Sequence, residues 1–482
     1  MFDLRPVGYV IGLLVAVLGA AMLLPMLVDI AEGRGHWPVF AQSAFVTGLS
    51  GGLIALGCAN GARAGLSIQQ AFLLTTGVWA VLPLFGALPF MIGATQLNLV
   101  DSYFEAMSGI TTTGSTVIVG LDELPKGLLL WRGILQWLGG LGIVIVAIVF
   151  LPVMRVGGMQ FFETEAFDTL GKVLPRALDI SKGLIQVYVG LTLVCSLVYS
   201  ATGLTPFEAT VHAMTTISTG GFSTSDLSFG AFPGAPQYAA ALFMILGALP
   251  FVRLMQLIYG NPAPLWRDSQ IRTFLRWVFY ALVLLLAYEW VATGFLDENG
   301  VRLRLFNLVS IFTGTGYGAG DVTVWGAMPF TVLFVVGMIG GCTGSTACSI
   351  KIFRYQILLN AIRVQVLKIR APHRQMSLRY DGQTLSEQVV TSVMALFTLY
   401  ILSLGFLSTG LALLGLPLLD ALTAAWTSLF NVGPAFGELV GATGALDALP
   451  DAAKWMMCLA MLAGRLELLA VIVLFLPVFW RA

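Results

Sequence analysis

Four stretches of this sequence superimpose without a gap, and any fold of the chain has to bring them to equivalent places. Residues 106–115 read Ala-Met-Ser-Gly-Ile-Thr-Thr-Thr-Gly-Ser, residues 213–222 Ala-Met-Thr-Thr-Ile-Ser-Thr-Gly-Gly-Phe, residues 308–317 Leu-Val-Ser-Ile-Phe-Thr-Gly-Thr-Gly-Tyr, and residues 425–434 Ala-Trp-Thr-Ser-Leu-Phe-Asn-Val-Gly-Pro. They align on Gly114, Gly221, Gly316 and Gly433, at intervals of 107, 95 and 117 residues. Each is an apolar run closed by polar residues and a glycine, and self-similarity of this kind marks an internal repeat.

What surrounds the repeats is almost wholly apolar. Of 482 residues 57% are hydrophobic and 10% charged, and the mean hydropathy is +0.88. These values lie outside the soluble globular range. Segments of about 20 apolar residues, enough to cross a hydrocarbon core roughly 30 Å thick, recur along the whole length. The five cysteines lie singly in apolar stretches without Cys-x-x-Cys spacing, which predicts packing residues rather than a disulfide framework or zinc site. Residues 6–28 follow Arg5 but run too long for a signal peptide and show no small-residue cleavage site, so they are expected to be a retained helix.

The pattern predicts an all-α integral membrane protein of ten transmembrane helices. A helix pair (residues 1–66) precedes four helix, re-entrant loop, helix units at 67–160, 161–262, 263–380 and 381–482. The expected spans are 6–28, 39–59, 68–92, 128–153, 183–202, 238–257, 274–293, 329–341 with a continuation, 389–414 and 455–479. Within each unit the segment before the glycine is about 12 residues, too short to span. It has to enter and return, and irregular backbone at membrane depth survives only where it is buried in protein or lines a watery cavity. Thr205, Pro206 and Glu208 form a capping-box signature at the second short helix. Asp101, Glu208 and Asp420 stand thirteen residues before their glycines, where a carboxylate suits a helix N-terminus and the partly negative C-terminus then faces the glycine.

With the N-terminus placed in the cytoplasm, 18 of the 25 Lys and Arg residues fall on the inside. Both termini are then cytoplasmic and all four loops enter from outside. Asp226, Asp321 and Glu438 each follow a repeat glycine by five residues, which predicts an acidic outer rim that concentrates cations.

A ring of backbone carbonyls can replace the hydration shell of a potassium ion, and glycine permits the backbone that turns several carbonyls to one axis. Thr112, Thr113, Ser218, Thr219, Thr313, Thr315 and Asn431 offer further oxygens, while Val432 offers only its carbonyl. One such turn is ordinary helix packing in a membrane; four in register point to a pore.

These residues, with Trp137-Leu-Gly-Gly-Leu-Gly142, Leu151-Pro-Val-Met-Arg-Val-Gly-Gly-Met-Gln160, Gly340-Gly-Cys-Thr-Gly-Ser-Thr346 and Gly464-Arg-Leu-Glu467, resemble the ion-conducting subunit of Trk potassium uptake systems in the Trk/Ktr/HKT superfamily, over almost the whole chain. The extra first helix pair is similar to the Trk form. The resemblance implies a multi-pass protein of the bacterial inner membrane and a homodimer. It implies four units around one potassium pathway, and control by a cytoplasmic nucleotide-binding subunit, so that any nucleotide acts only through the partner. Potassium is the transported ion, with a filter formed by Thr112, Thr113, Gly114, Ser218, Thr219, Gly220, Gly221, Gly314, Thr315, Gly316, Asn431, Val432 and Gly433. Glycine at the filter position of every repeat favours potassium over sodium. Gly314, where the family often has threonine, and Ala435, where glycine is common, depart from the pattern.

Two gate candidates follow. Arg465 lies in the last apolar segment, where a guanidinium is costly and functional by default; it either discourages cations below the filter or forms a buried pair, for which Glu467 of another helix or subunit is a candidate. The stretch from Gly340 through Gly341, Gly344 and Ser345 to Lys351 interrupts an apolar helix, and in the family it is an intramembrane gating loop, although Cys348 and Ser349 replace its usual glycines. The basic run 351–379 reads as topology signal, lipid headgroup contact or partner surface. His212 is expected to be a packing residue, and His36 and His373 to lie in loops. Two other classes remain: a potassium symporter coupled to protons or sodium, or a less selective potassium and sodium pathway. No phosphate-loop motif or convergent catalytic set is present, so no enzyme activity is expected; nor is a nucleic-acid partner.

Overall fold

The computed structural model describes residues 3–61, 66–150, 158, 177–371, 377–440 and 444–480. Arg63, most of the 151–160 motif, Arg155, Lys172, Arg176, His373, Arg374 and Arg481 therefore lie outside the described residues. Among those described, seven helices are long and apolar enough to cross a membrane: Arg5–Glu32, Trp37–Gly57, Ile68–Ile92, Lys126–Ile148, Ser181–Ala201, Ser269–Thr293 and Glu387–Leu413. Two further helix pairs pass the same test but are sharply bent. Large apolar side chains such as Phe45, Leu197, Val291 and Phe406 stand exposed on the outside, as a chain surrounded by hydrocarbon requires.

Three of the ten expected spans are not continuous helices. The span expected over 238–257 is Ala235–Gly247 plus Phe251–Ile258, meeting at 100°. Pro250 has no amide proton and disfavours helix at Leu249. The groups released there are taken up by the loop after Gly340: Cys342 N donates to Ala248 O at 3.0 Å, Thr346 N to Gly247 O at 3.2 Å, and Phe251 N to Gly344 O at 3.0 Å. The last span is Asp451–Arg465 plus Leu469–Phe475, bent by 108°, because Glu467 and Leu468 both take positive φ (64° and 54°). The eighth is the 11-residue helix Ala327–Gly337, the irregular stretch that follows it, and the helix Ile352–Arg370.

Four shorter helices lie inside this frame: Leu99–Ile110, Pro206–Ile217, Glu298–Thr313 and Leu418–Phe430. Three are started by side-chain caps. Asn98 accepts from Asp101 N, Thr205 and Glu208 form the expected capping box, and Asp297 accepts from Gly300 N. The fourth begins after Pro417 with no side-chain cap. Flanking helices approach the C-terminal ends through glycine: a Cβ on Gly139 would strike Ile110 O, and one on Gly464 would strike Leu429 O. Only a missing side chain lets two backbones come so close in a membrane interior.

Candidate functional site

Each short helix ends in the same turn. The amide of the residue before the repeat glycine reaches back to a carbonyl five residues earlier: Thr113 N to Ser108 O, Gly220 N to Thr215 O, Thr315 N to Ser310 O and Val432 N to Thr427 O, at 2.8–3.1 Å. This is the long hydrogen bond of a Schellman cap, which needs a left-handed residue just before the donor. The residues there are Thr112 (φ 51°), Thr219 (φ 49°), Gly314 (φ 69°) and Asn431 (φ 53°). The repeat glycines return to positive φ at 91°, 79°, 83° and 113°, and the residue between does not. A β-branched residue at positive φ is a strained outlier, so threonine at two of these positions marks a backbone held by its surroundings. Gly314 occupies the same conformation without that strain.

The four turns form a closed ring. A Cβ on Gly114 would strike the carbonyl oxygen of Gly220, one on Gly221 that of Thr315, and one on Gly316 that of Val432; one on Gly433 would lie 2.9 Å from that of Thr113. Each glycine thus faces the carbonyl preceding the next repeat's glycine, and the fourth repeat returns to the first. Across the ring, a Cβ on Gly114 would lie 3.5 Å from Thr315 O, so the opening is narrow. The C-terminal ends of all four helices converge here and bring their partial negative charge.

The hydroxyl and amide groups expected to face an ion mostly brace the ring. Thr111 pairs with Thr113 and Thr313 with Thr315, each at 2.7 Å between hydroxyl oxygens, and Thr219 donates to Ser218 O at 2.7 Å. The Ser218 hydroxyl donates to Thr215 O at 3.2 Å. The Asn431 amide nitrogen donates to Thr113 Oγ1 at 2.8 Å and Met461 O at 3.0 Å, so it ties the fourth repeat to the first. Gln136, which the sequence did not single out, grips the second repeat from behind, donating to Gly220 O at 2.6 Å and accepting from Phe222 N at 3.0 Å. The Tyr317 hydroxyl lies 2.5 Å from Thr215 Oγ1, joining the third repeat to the second.

Directly beneath the ring runs the stretch from Gly340 to Lys351. Gly340 N donates to Ile350 O at 2.8 Å, and Ser349 N to Phe430 O at 3.1 Å. The Thr346 hydroxyl contacts Ile217 O and Gly247 O at 2.9 Å each. The loop is thus stitched to the ends of the second and fourth short helices. Gly341 packs on Ala248 with no room for a Cβ, and Gly344 takes φ 71°. Ser345 Oγ donates to Cys342 O at 2.6 Å, and Lys351 Nζ to Ala347 O. Cys348 reaches the ring itself: its Sγ is 3.6 Å from Thr112 Oγ1, and its Cβ is 3.1 Å from where a Cβ on Gly314 would stand. Thr112 and Gly314 belong to opposite repeats, so the thiol sits under the centre of the ring.

Arg465 stands at the end of its helix. It is 4% exposed and donates through Nη1 to Cys348 Sγ at 2.8 Å and Thr346 O at 3.3 Å. Among the described residues its Nε and Nη2 have no hydrogen-bond partner. Within the chain Glu467 pairs elsewhere: its Oε2 is 2.5 Å from Arg354 Nη2, 113 residues away in sequence.

The three rim carboxylates differ. Asp226 accepts from Gly120 N at 2.9 Å and Leu121 N at 3.1 Å, tying the loop of the second repeat to that of the first. Asp321 caps its own turn through Thr323. Glu438 is exposed, and its amide donates to Asp420. Asp420, read from sequence as a helix-end charge, holds Glu438 N and Leu439 N at 3.0 and 2.7 Å. His212 is bonded at both ring nitrogens, as a packing residue should be. His36 precedes the helix Trp37–Gly57 and meets Asp29 at 2.7 Å.

Residues 36–481 match the family model TrkH, described as a cation transport protein. The chain is 40% identical over 479 residues to the Trk system potassium uptake protein TrkI of Halomonas elongata, covering 99% of this chain and 97% of that protein. It is 32% identical over 486 residues to the Trk system potassium uptake protein TrkH of Escherichia coli K12, covering 99% of both. The crystal structure of the potassium transporter TrkH from Vibrio parahaemolyticus superimposes with a TM-score of 0.91 at 31% identity, covering 99% of this chain and 100% of that one.

Proposed function

We propose that this chain, which belongs to the TrkH family of cation transport proteins, takes up potassium across the cytoplasmic membrane through the four-glycine ring. The ring carries the reading: four equivalent turns, each glycine facing the next repeat's carbonyl, offer oxygens of the kind that replace an alkali cation's water. Among the described residues no three His, Cys, Asp or Glu side chains cluster as a metal site, so the ring's carbonyl and hydroxyl oxygens are the ligands on offer. Potassium is the transported substrate and moves down its electrochemical gradient.

The finer organisation belongs to the same proposal. Four units, with the boundaries given above, surround one pathway in a ten-span arrangement in which the eighth, broken span counts as one crossing. Both termini are cytoplasmic. Arg132 and Lys454, two of the seven Lys and Arg residues not placed on the inside, are buried within helices, which sharpens the inside bias of the rest. The protein works as a homodimer, and a cytoplasmic nucleotide-binding subunit moves the loop 340–351 and Arg465 away from the ring. Growth of a potassium-uptake-deficient bacterium on limiting potassium tests the reading: the chain should restore growth, and failure of a well-expressed protein to do so counts against it.

Cys348 and Gly314 form a matched pair within that pathway. A Cβ at residue 314 would lie 3.1 Å from Cys348 Cβ and 3.3 Å from Cys348 N, tighter than a packed interior accepts without displacement. Gly314→Thr alone is expected to lower potassium uptake by about tenfold, equivalent to roughly 1.4 kcal/mol. Adding Cys348→Gly should recover most of it. Uptake by the double variant no better than by the single one would show that the two positions are independent.

A further inference from the structure

Behind the ring, each short helix holds the strand that leaves its glycine, and the holding side chain sits at nearly the same place in every repeat. Nine residues before the glycine stand Glu105, His212 and Asn307; in the fourth repeat that position is Ala424 and the work falls to Thr423 beside it. Glu105 accepts from Val117 N at 3.0 Å and from Thr116 Oγ1 at 2.9 Å. His212 Nε2 meets Ser223 Oγ at 3.1 Å. Asn307 accepts from Ala319 N at 3.1 Å and donates to Ala319 O at 2.8 Å. Thr423 accepts from Phe436 N at 3.0 Å and donates to Phe436 O at 2.6 Å. The partners always lie two or three residues beyond the glycine.

The first of these braces is the charged one. Glu105 is fully buried and its Oε1 receives Arg132 Nε at 2.8 Å. The same guanidinium donates through Nη1 to Ser223 O at 2.7 Å and through Nη2 to Thr116 Oγ1 at 3.2 Å, and its carbon lies 4.1 Å from the Phe222 ring centroid. Arg132 therefore grips the outgoing strands of two repeats at once, one of them immediately after Gly221. A buried pair of this kind adds little net stability over an apolar substitute, but its short charge-assisted bonds fix geometry. Arginine is suited to it because a planar fork can serve three acceptors and a ring together, which an ammonium cannot.

We propose that Glu105 and Arg132 are positioning residues for ion selection: together they lock the first and second repeats of the ring at one width, and discrimination between potassium and sodium depends on that lock. The inference rests on the transport reading above. A ring free to contract would suit the smaller sodium ion as well as potassium, so loosening the pair should lower discrimination before it lowers flux.

The test is potassium and sodium flux through the purified full-length protein in liposomes, for wild type, Glu105→Gln, Arg132→Lys and Thr423→Val. Glu105→Gln keeps the shape and loses the charge; Arg132→Lys keeps the charge and loses the fork. Each is expected to lower the potassium to sodium flux ratio by roughly tenfold, the loss of about one charge-assisted hydrogen bond. Thr423→Val, which removes an uncharged brace, should lower it less. Ratios within about twofold of wild type in both pair variants, the behaviour of an idle ion pair, would overturn the proposal. If Glu105→Gln does not fold, Arg132→Lys alone decides by the same criterion. Wild-type liposomes that take up no potassium would instead sink the transport reading, whatever the variants do.

Discussion

Gly221→Ser is expected to reduce potassium uptake, or its selectivity over sodium, on the order of a hundredfold. Two costs coincide at this residue. Its backbone holds φ at 79°, where an L-residue is disfavoured by roughly 1–2 kcal/mol. The added Cβ would also land on the carbonyl oxygen of Thr315, an overlap that a packed site relieves only by moving, at about 1–3 kcal/mol. The group that has to move is a ring carbonyl of the neighbouring repeat, so the damage passes directly to the ligands offered to the ion. Growth on limiting potassium, with membrane abundance checked by immunoblot, reads the effect. Wild-type growth and selectivity in this variant would mean that the ring is not the path.

Arg465→Ala is expected to act in the opposite direction, raising uptake at least tenfold in the absence of activation. The guanidinium lies just below the ring, bound to the loop through Cys348 and Thr346, and the nearest carboxylate in sequence, Glu467, is occupied by Arg354. A unit charge held even about 8 Å from a cation, at an effective dielectric of about 20, opposes it by about 2 kcal/mol. Removing the charge lifts that barrier and cuts two of the bonds that hold the loop under the ring. Arg465→Lys keeps the charge and should keep uptake low. If Arg465→Ala folds, reaches the membrane and conducts no more than wild type, the barrier lies elsewhere.

The ring was legible in the sequence because its determinants are local. A Schellman cap is written in about six consecutive residues, so the glycines of all four repeats and the left-handed Thr112, Thr219, Gly314 and Asn431 could be aligned by eye. The broken spans were not legible, because hydropathy registers apolar length and is blind to direction. Nothing in the composition of residues 238–257 says that the groups freed at Pro250 will be satisfied by a loop nearly a hundred residues later. The braces behind the ring were missed for a different reason. At the ninth position before the glycine the residues are glutamate, histidine, asparagine and alanine, and equivalence of role without equivalence of residue leaves no repeat to see. Partners distant along the chain, such as Arg354 for Glu467, were equally hidden, as was the duty of Asp226 and Asp420 as loop braces.

The central claim, passive selection of potassium by the four-glycine ring, is tested most directly by potassium flux into liposomes containing the purified protein. Voltage is clamped by an ionophore, and neither a proton nor a sodium gradient is present. The account predicts that potassium enters down its own gradient, that excess sodium does not replace it, and that Gly221→Ser removes the preference. Potassium entry that occurs only when a proton or sodium gradient is imposed would contradict it and establish a coupled transporter instead.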